Sequence, residues 1–155
     1  MSVTHSTFVI ERTYDAPLDR VWAACSDPAV KAQWFAPPEE WGPEQYSLDF
    51  RVGGHEKARG GPVGGPVHTY DAEIRDIVPN ERIVTTYEMY LDDARISVSV
   101  ATIELSADGD GTRFVLTEQG AYLDGHDFPQ QREHGTRELL DLMGAFLEKQ
   151  RANES

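Results

Sequence analysis

Four charged residues fall inside segments whose alternation reads as β-strand: Arg12, Glu88, Glu104 and Glu118. An arginine and a carboxylate facing one interior would orient a polar ligand group or move a proton, whereas at sheet ends they only meet solvent. The five histidines, His5, His55, His68, His126 and His134, do not form a metal-ligand pattern. There is no His-Glu-x-x-His pair, and His126 and His134 are separated by Pro129, so no metal and no cofactor is expected. Cys25 follows a short helix and sits toward its negative end, which disfavours a thiolate and favours a small buried hydrophobe. Ser47, Ser97, Ser99 and Ser106 lie in or beside strands, with no Gly-x-Ser-x-Gly elbow and no neighbouring histidine. The stretch Gly60 to Pro66 lacks a Gly-Lys-Ser/Thr ending and precedes a strand, so it reads as a flexible lip and not a phosphate cradle. No catalytic residue is assigned.

Binding chemistry is better supported than catalysis. Tyr70 shares a strand face with Ala72 and Ile74; Thr85, Tyr87 and Met89 share one with Ile83; Phe114, Leu116 and Glu118 share another. Hydroxyls, threonines and methionine on inward faces suit a half-apolar ligand better than a dry core. Gly135 and Gly144 sit inside a long helical pattern, where each costs about 1 kcal/mol relative to Ala, so something must offset them. Tight packing is the better account of Gly144 and a pocket the better account of Gly135. Trp22, Trp34, Phe35 and Trp41 cluster around two short helices, Trp22 as core and Trp34 with Phe35 toward a pocket entrance. The candidate ligand-binding residues are Trp34, Phe35, Tyr70, Tyr87, Met89, Leu116, Phe128, Gly135, Leu139 and Met143.

The elements that must position these residues follow from periodicity. Phe8, Ile10 and Tyr14 define one face of a first strand, interrupted only by Arg12. Asp15-Ala16-Pro17 and Asp27-Pro28 each start a short helix, and Pro37-Pro38 ends the second. Period-two segments then run over Gln45 to Val52, His55 to Arg59, Val67 to Ile77, Arg82 to Tyr90, Arg95 to Leu105 and Thr112 to Gln119. Short turns between them imply an antiparallel meander. In the Arg95 strand the apolar phase slips between Val100 and Ala101, which predicts a bulge there. Leu139, Leu140, Leu142, Met143, Phe146 and Leu147 recur at helical spacing within Pro129 to Arg151.

With 155 residues and 17.3 kDa, one domain spanning 1–155, with its core about 7–150, is the expectation. Fourteen basic against 27 acidic residues give a net charge of −13, so nucleic acid and anionic membrane surfaces are poor partners. No apolar run reaches the roughly 20 residues of a membrane helix, Met1 to Thr7 lacks the features of a secretory signal, and cysteine is single. A cytoplasmic location is expected.

Taken in order, Arg12-Thr13-Tyr14-Asp15-Ala16-Pro17 with Val21-Trp22, Asp27-Pro28 with Gln33-Trp34, Asp49-Phe50-Arg51-Val52-Gly53-Gly54, Pro79-Asn80-Glu81-Arg82, Gly111-Thr112 and Gly135 ahead of Leu139-Leu140 carry a family signal. They resemble bacterial homologues of the activator of the ninety-kilodalton heat-shock-protein ATPase, a branch of the START-related (SRPBCC) superfamily. The resemblance implies an α+β helix-grip fold: a curved antiparallel sheet of about six strands, two short helices after the first strand, and a long C-terminal helix over the concave face. Many relatives carry Trp after the helix glycine, where this chain has Thr136. Three functions are carried forward. The first is binding of a small hydrophobic or aromatic molecule between sheet and helix. The others are an enzyme of cyclase, dehydratase or hydrolase type acting on an aromatic or polyketide-like substrate, and a regulatory partner of a heat-shock ATPase. A homodimer is left open.

Overall fold

Alternate residues Phe8, Ile10 and Tyr14 of β1 (Val3–Tyr14) are buried while Val9 and Glu11 face solvent, as period-two patterning requires. The computed structural model of the chain describes residues 2–35 and 45–154. The Pro37-Pro38 stop and Trp41 lie outside the described residues. Two short helices follow, α1 (Leu18–Ser26) and α2 (Pro28–Trp34). Asp27 caps α2 through Oδ1, which accepts from the amides of Ala29 (3.0 Å) and Val30 (3.4 Å). The α1 start differs from expectation: Pro17 is itself the N-cap, and Asp15 pairs with Arg151 at the far end of the C-terminal helix. Trp34 is buried and its indole N–H donates to the Ala24 carbonyl at 2.8 Å, fixing α2 on α1.

The strands β2 (Gln45–Leu48), β3 (His55–Gly60), β4 (His68–Val78), β5 (Arg82–Leu91), β6 (Ala94–Asp108) and β7 (Gly111–Leu123), one for each period-two segment, complete one seven-stranded sheet, one strand more than the about six that the resemblance implied. Its order is β1-β7-β6-β5-β4-β3-β2, with every neighbouring pair antiparallel. The first strand thus lies beside the last, in a register that sets Ile10 opposite Leu116 and Tyr14 opposite Thr112. β2 stops at Leu48, short of the expected Val52, and the chain turns through Gly53 at φ +85°.

The predicted bulge is real in kind and displaced in place. Met89 pairs with Ser97 and Tyr90 with Arg95, so the extra residue of β6 is Ile96, not Val100 or Ala101. Ile96 and Ser97 are consecutively buried, and from there Ser97, Ser99, Ala101, Ile103 and Leu105 point to the concave face. Val98 and Val100 are exposed on the convex face. A second register shift lies between Ile74 and Asp76 on β4. Both bulges add local bend and twist to the sheet.

Into this bend lies α3 (Pro129–Ala152). Its C-terminal half joins the core through Leu140, Met143 and Leu147, packed with Phe8, Ile10, Val21 and Phe114. Gly144 faces the Tyr14 ring, where an added Cβ would stand 3.2 Å from Cε1, and the Tyr14 hydroxyl donates to the Leu140 carbonyl at 2.8 Å. Packing therefore accounts for Gly144. Tyr14→Phe should lower stability by about 1 kcal/mol, read as a fall of roughly 2–4 °C in melting temperature by calorimetry, because a buried hydrogen bond is lost while the fold is retained.

Candidate functional site

The N-terminal half of α3 does not touch down on the sheet as the C-terminal half does; a cavity of about 640 Å³ separates them. That volume lies within the range of small-molecule sites. Strand alternation sends Ile74 of β4, Ile83 and Thr85 of β5, Ile103 of β6 and Leu116 of β7 to its floor. Gln131, Gly135, Thr136 and Leu139 form the roof, and α1 and α2 close one end with Cys25, Lys31, Trp34 and Phe35. Arg59, Gly60 and His68, flanking the glycine-rich turn, also border it. A continuous run of rings forms one wall: Trp34 meets Phe35 at 5.8 Å, Phe35 meets Tyr70 at 5.9 Å, and Tyr70 meets Tyr87 at 4.9 Å.

Two buried polar clusters face this apolar space. In the first, Arg132 from the opening turns of α3 donates to the Tyr87 hydroxyl (2.9 Å), Ser97 Oγ (2.8 Å) and Asp127 Oδ2 (2.5 Å). Its guanidinium also lies over the Tyr122 ring at 5.3 Å. Tyr87 donates to Glu118 Oε1 at 2.7 Å, while Glu118 Oε2 is buried without a hydrogen bond, 4.0 Å from Arg132. Burial raises the Glu118 carboxyl above its ordinary value, opposed by the Tyr87 hydrogen bond and the Arg132 charge. Burial also pushes the Tyr87 phenol up. For Arg132 burial disfavours the charge, but Tyr87, Asp127 and Glu118 more than offset it, so it stays a cation. In the second cluster, Lys31 Nζ contacts Glu56 Oε1 (2.9 Å) and Oε2 (2.7 Å). Tyr46 donates to Glu56 at 2.6 Å and Tyr70 does so at 3.4 Å. Burial, then the nearby Glu56, raises the Tyr70 phenol well above its usual range.

Among the sequence-derived candidates, the structure brings Trp34, Phe35, Tyr70, Tyr87, Met89, Leu116, Gly135 and Leu139 to the cavity wall. Two do not belong there. Phe128 is the N-cap of α3, in extended backbone just before the helix, and is 53% exposed. Met143 is fully buried in the core below the roof, with its sulfur 4.0 Å from the Cys25 sulfur. Gly135 has nothing within 4 Å of an added Cβ, so it borders open space and not a close backbone approach. Of the four charged strand residues Arg12, Glu88, Glu104 and Glu118 singled out from the sequence, Glu118 lines the cavity and the other three do not. Glu88 pairs with Arg95, Glu104 is exposed, and Arg12 pairs with Asp141 of α3 at 3.4 Å.

Arg132, Asp127, Lys31 and Glu56 are site residues that sequence reasoning missed. The available signal was Ser97-x-Ser99 alternating with Val98 and Val100: polar residues inward and valines outward become legible only once the bulge is placed at Ile96. Cys25 is buried, and desolvation pushes its thiol up to about 12, which leaves it an inert hydrophobe. Among the described residues no group of His, Cys, Asp or Glu is placed to hold a metal ion, and no helix is long and apolar enough to cross a membrane.

A curved antiparallel sheet gripping a C-terminal helix, with a part-apolar cavity between them, defines the helix-grip class of the START-related superfamily. The chain belongs to the family described as activator of Hsp90 ATPase homolog 1-like protein, whose model matches residues 15–148. It is similar to the protein Mll3558 from Rhizobium loti, with 47% identity over 95% of this chain and 100% of that one, at a TM-score of 0.88. A protein from Rhizobium leguminosarum is 46% identical over 96% of this chain and 97% of its own, at a TM-score of 0.90. DynU16, a protein in the dynemicin biosynthetic locus, shares the fold at 19% identity, covering 92% of this chain and 47% of that chain with a TM-score of 0.65. No curated protein matches the chain.

The raised Glu118 carboxyl has a consequence for stability. Where folding raises a carboxyl's pKa, the folded state binds the proton more tightly than the unfolded chain, so stability is lost as pH rises through the folded value. Glu118→Gln keeps the acceptor for Tyr87 and removes that loss. The variant should gain stability relative to the parent as pH rises from 4 to 7.5, measured by urea unfolding at each pH.

Proposed function

We propose that the protein binds a small, largely apolar and aromatic molecule in the cavity between the sheet and α3. The observation that carries this reading is the 640 Å³ space itself, since native interiors are otherwise close-packed and such room is not left without use. The ring wall from Trp34 to Tyr87 suits an aromatic body, and the hydroxyl of Thr85 offers it a polar handle. Trp34, Phe35, Tyr70, Tyr87, Met89, Leu116, Gly135 and Leu139 are the contacts assigned to the ligand. Membership of the family supports a pocket-based role without naming what fills it.

Native mass spectrometry of freshly purified protein tests this directly, with an adduct of ligand mass expected. Thr136→Trp supplies the control. An indole in place of this roof side chain would fill part of the cavity, and affinity for an aromatic probe should fall about tenfold or more. Unchanged affinity in a folded variant would place binding elsewhere.

A second reading, an enzyme acting on an aromatic or polyketide-like substrate, is favoured by one observation. Glu118, with a raised carboxyl, is held by Tyr87 beside Arg132 at the cavity wall, where titratable groups converge. Under that reading Glu118→Gln retains binding of the retained molecule and abolishes its conversion, followed as a change in ligand mass. Equal conversion by the variant excludes Glu118 as the acid or base.

A further inference from the structure

The charges lining the cavity are unequal, and their pairing determines what a ligand can bring. Two cations face the interior, Arg132 and Lys31, and both are committed: Arg132 to Tyr87, Ser97 and Asp127, Lys31 to both oxygens of Glu56. Three carboxylates face them, Glu118, Asp127 and Glu56. At the borders stand Arg59, His68 and Glu138, the last paired with His134, in a chain whose net charge is −13. Past the border, a carboxylate reaching the interior would have to shed its water and displace an existing partner of Arg132 or Lys31 before finding a cation there. Acceptors, by contrast, are in surplus. Glu118 Oε2 and, two positions along the same concave face of the adjoining strand, Ser99 Oγ are buried polar atoms that make no hydrogen bond. A buried acceptor left unmade is costly, and a ligand hydroxyl arriving at this end would satisfy it.

Resting on the cavity reading above, we propose that the site selects neutral aromatic molecules bearing a hydroxyl and rejects carboxylates, with Glu118 accepting the ligand's hydroxyl hydrogen. The Tyr70–Tyr87 pair supplies the ring surface beside which that hydroxyl is delivered, because Tyr87 bonds to Glu118 itself.

Fluorescence titration of the full chain at pH 7.5 with 2-naphthol, 2-naphthoate and naphthalene separates these terms, since the three probes share one ring system. 2-Naphthol is expected to bind at least about tenfold tighter than 2-naphthoate and measurably tighter than naphthalene. Glu118→Gln, which removes the negative charge and keeps the shape, should narrow the naphthol-to-naphthoate gap by about threefold or more. The proposal is overturned if 2-naphthoate matches 2-naphthol, if naphthalene matches it, or if a folded Glu118→Gln variant leaves the gap unaltered. In those cases the cavity reading survives, because aromatic probes still bind. If none of the probes binds, or if Thr136→Trp leaves 2-naphthol binding intact, both readings fall together. Should Glu118→Gln not fold, the three-probe comparison on the unaltered chain still decides.

Discussion

Everything about this molecule depends on α3 being fastened to the sheet at two separated places. One fastening is the Tyr14 hydroxyl on the Leu140 carbonyl, with the same ring seated against Gly144. The other is the Arg132 guanidinium, which reaches Tyr87 on β5 and Ser97 on β6. Eight residues of helix between them span about 12 Å, and the cavity roof, Gly135, Thr136 and Leu139, lies within that span. A helix is stiff enough to bridge such a distance while the sheet curves away beneath it. The room below is therefore a consequence of where the fastenings are, and not of loose packing.

The two fastenings differ chemically, and the difference gives the cavity an apolar end and a polar end. The Tyr14 end is almost wholly apolar, with Phe114 packed edge-on to Tyr14 at 5.8 Å and Leu147 and Met143 nearby. The Arg132 end is polar and buried, and the guanidinium is stable there because Tyr87, Ser97 and Asp127 accept from it. Serines at Ser97 and Ser99 occupy concave positions that a plain core would give to valine or isoleucine. The valines of that strand are turned to solvent instead, so part of the apolar surface that β6 could have buried is given up to accommodate the arginine. Such an exchange makes sense for a site and not for a core.

Much of the fold was legible in the sequence because its signals are local. The alternation of Phe8 with Ile10, the Asp27-Pro28 cap and the helical spacing of Leu139 to Leu147 each report on one element and need no knowledge of its neighbours. The site was legible only in its apolar part, since Tyr70, Tyr87 and Leu116 share faces with obvious core residues. Arg132, Asp127 and Lys31 carry no such signal. Tyr87 lies 45 positions from Arg132 and Glu56 25 from Lys31, separations at which pairing is set by the assembled sheet, and Asp127, five positions before Arg132, joins the site only through that arginine. The misplaced bulge compounded this. A slip assigned at Val100 turns Ser97 and Ser99 outward, and a one-residue error in strand phase inverts every side chain it touches. Phe128 failed for a different reason: closeness in sequence to a pocket residue says little at a helix cap, where the chain changes direction.

The two glycines of α3 show why local cost alone cannot assign a role. Each carries the same propensity penalty of about 1 kcal/mol, yet one stands where a methyl group would press on the Tyr14 ring and the other where it would meet empty space. Gly144 lets the helix settle onto its fastening. Gly135 leaves the roof thin at the point where the helix spans the cavity. Helix stability would favour alanine at Gly135, and no packing contact opposes it. On the proposed reading a ligand uses that space, and Thr136 beside it is a small side chain whose hydroxyl turns back to the Arg132 carbonyl at 2.8 Å instead of filling the void. The roof over the cavity is thus thin at two adjacent positions, a glycine with open space beneath it and a short side chain bonded back to its own helix.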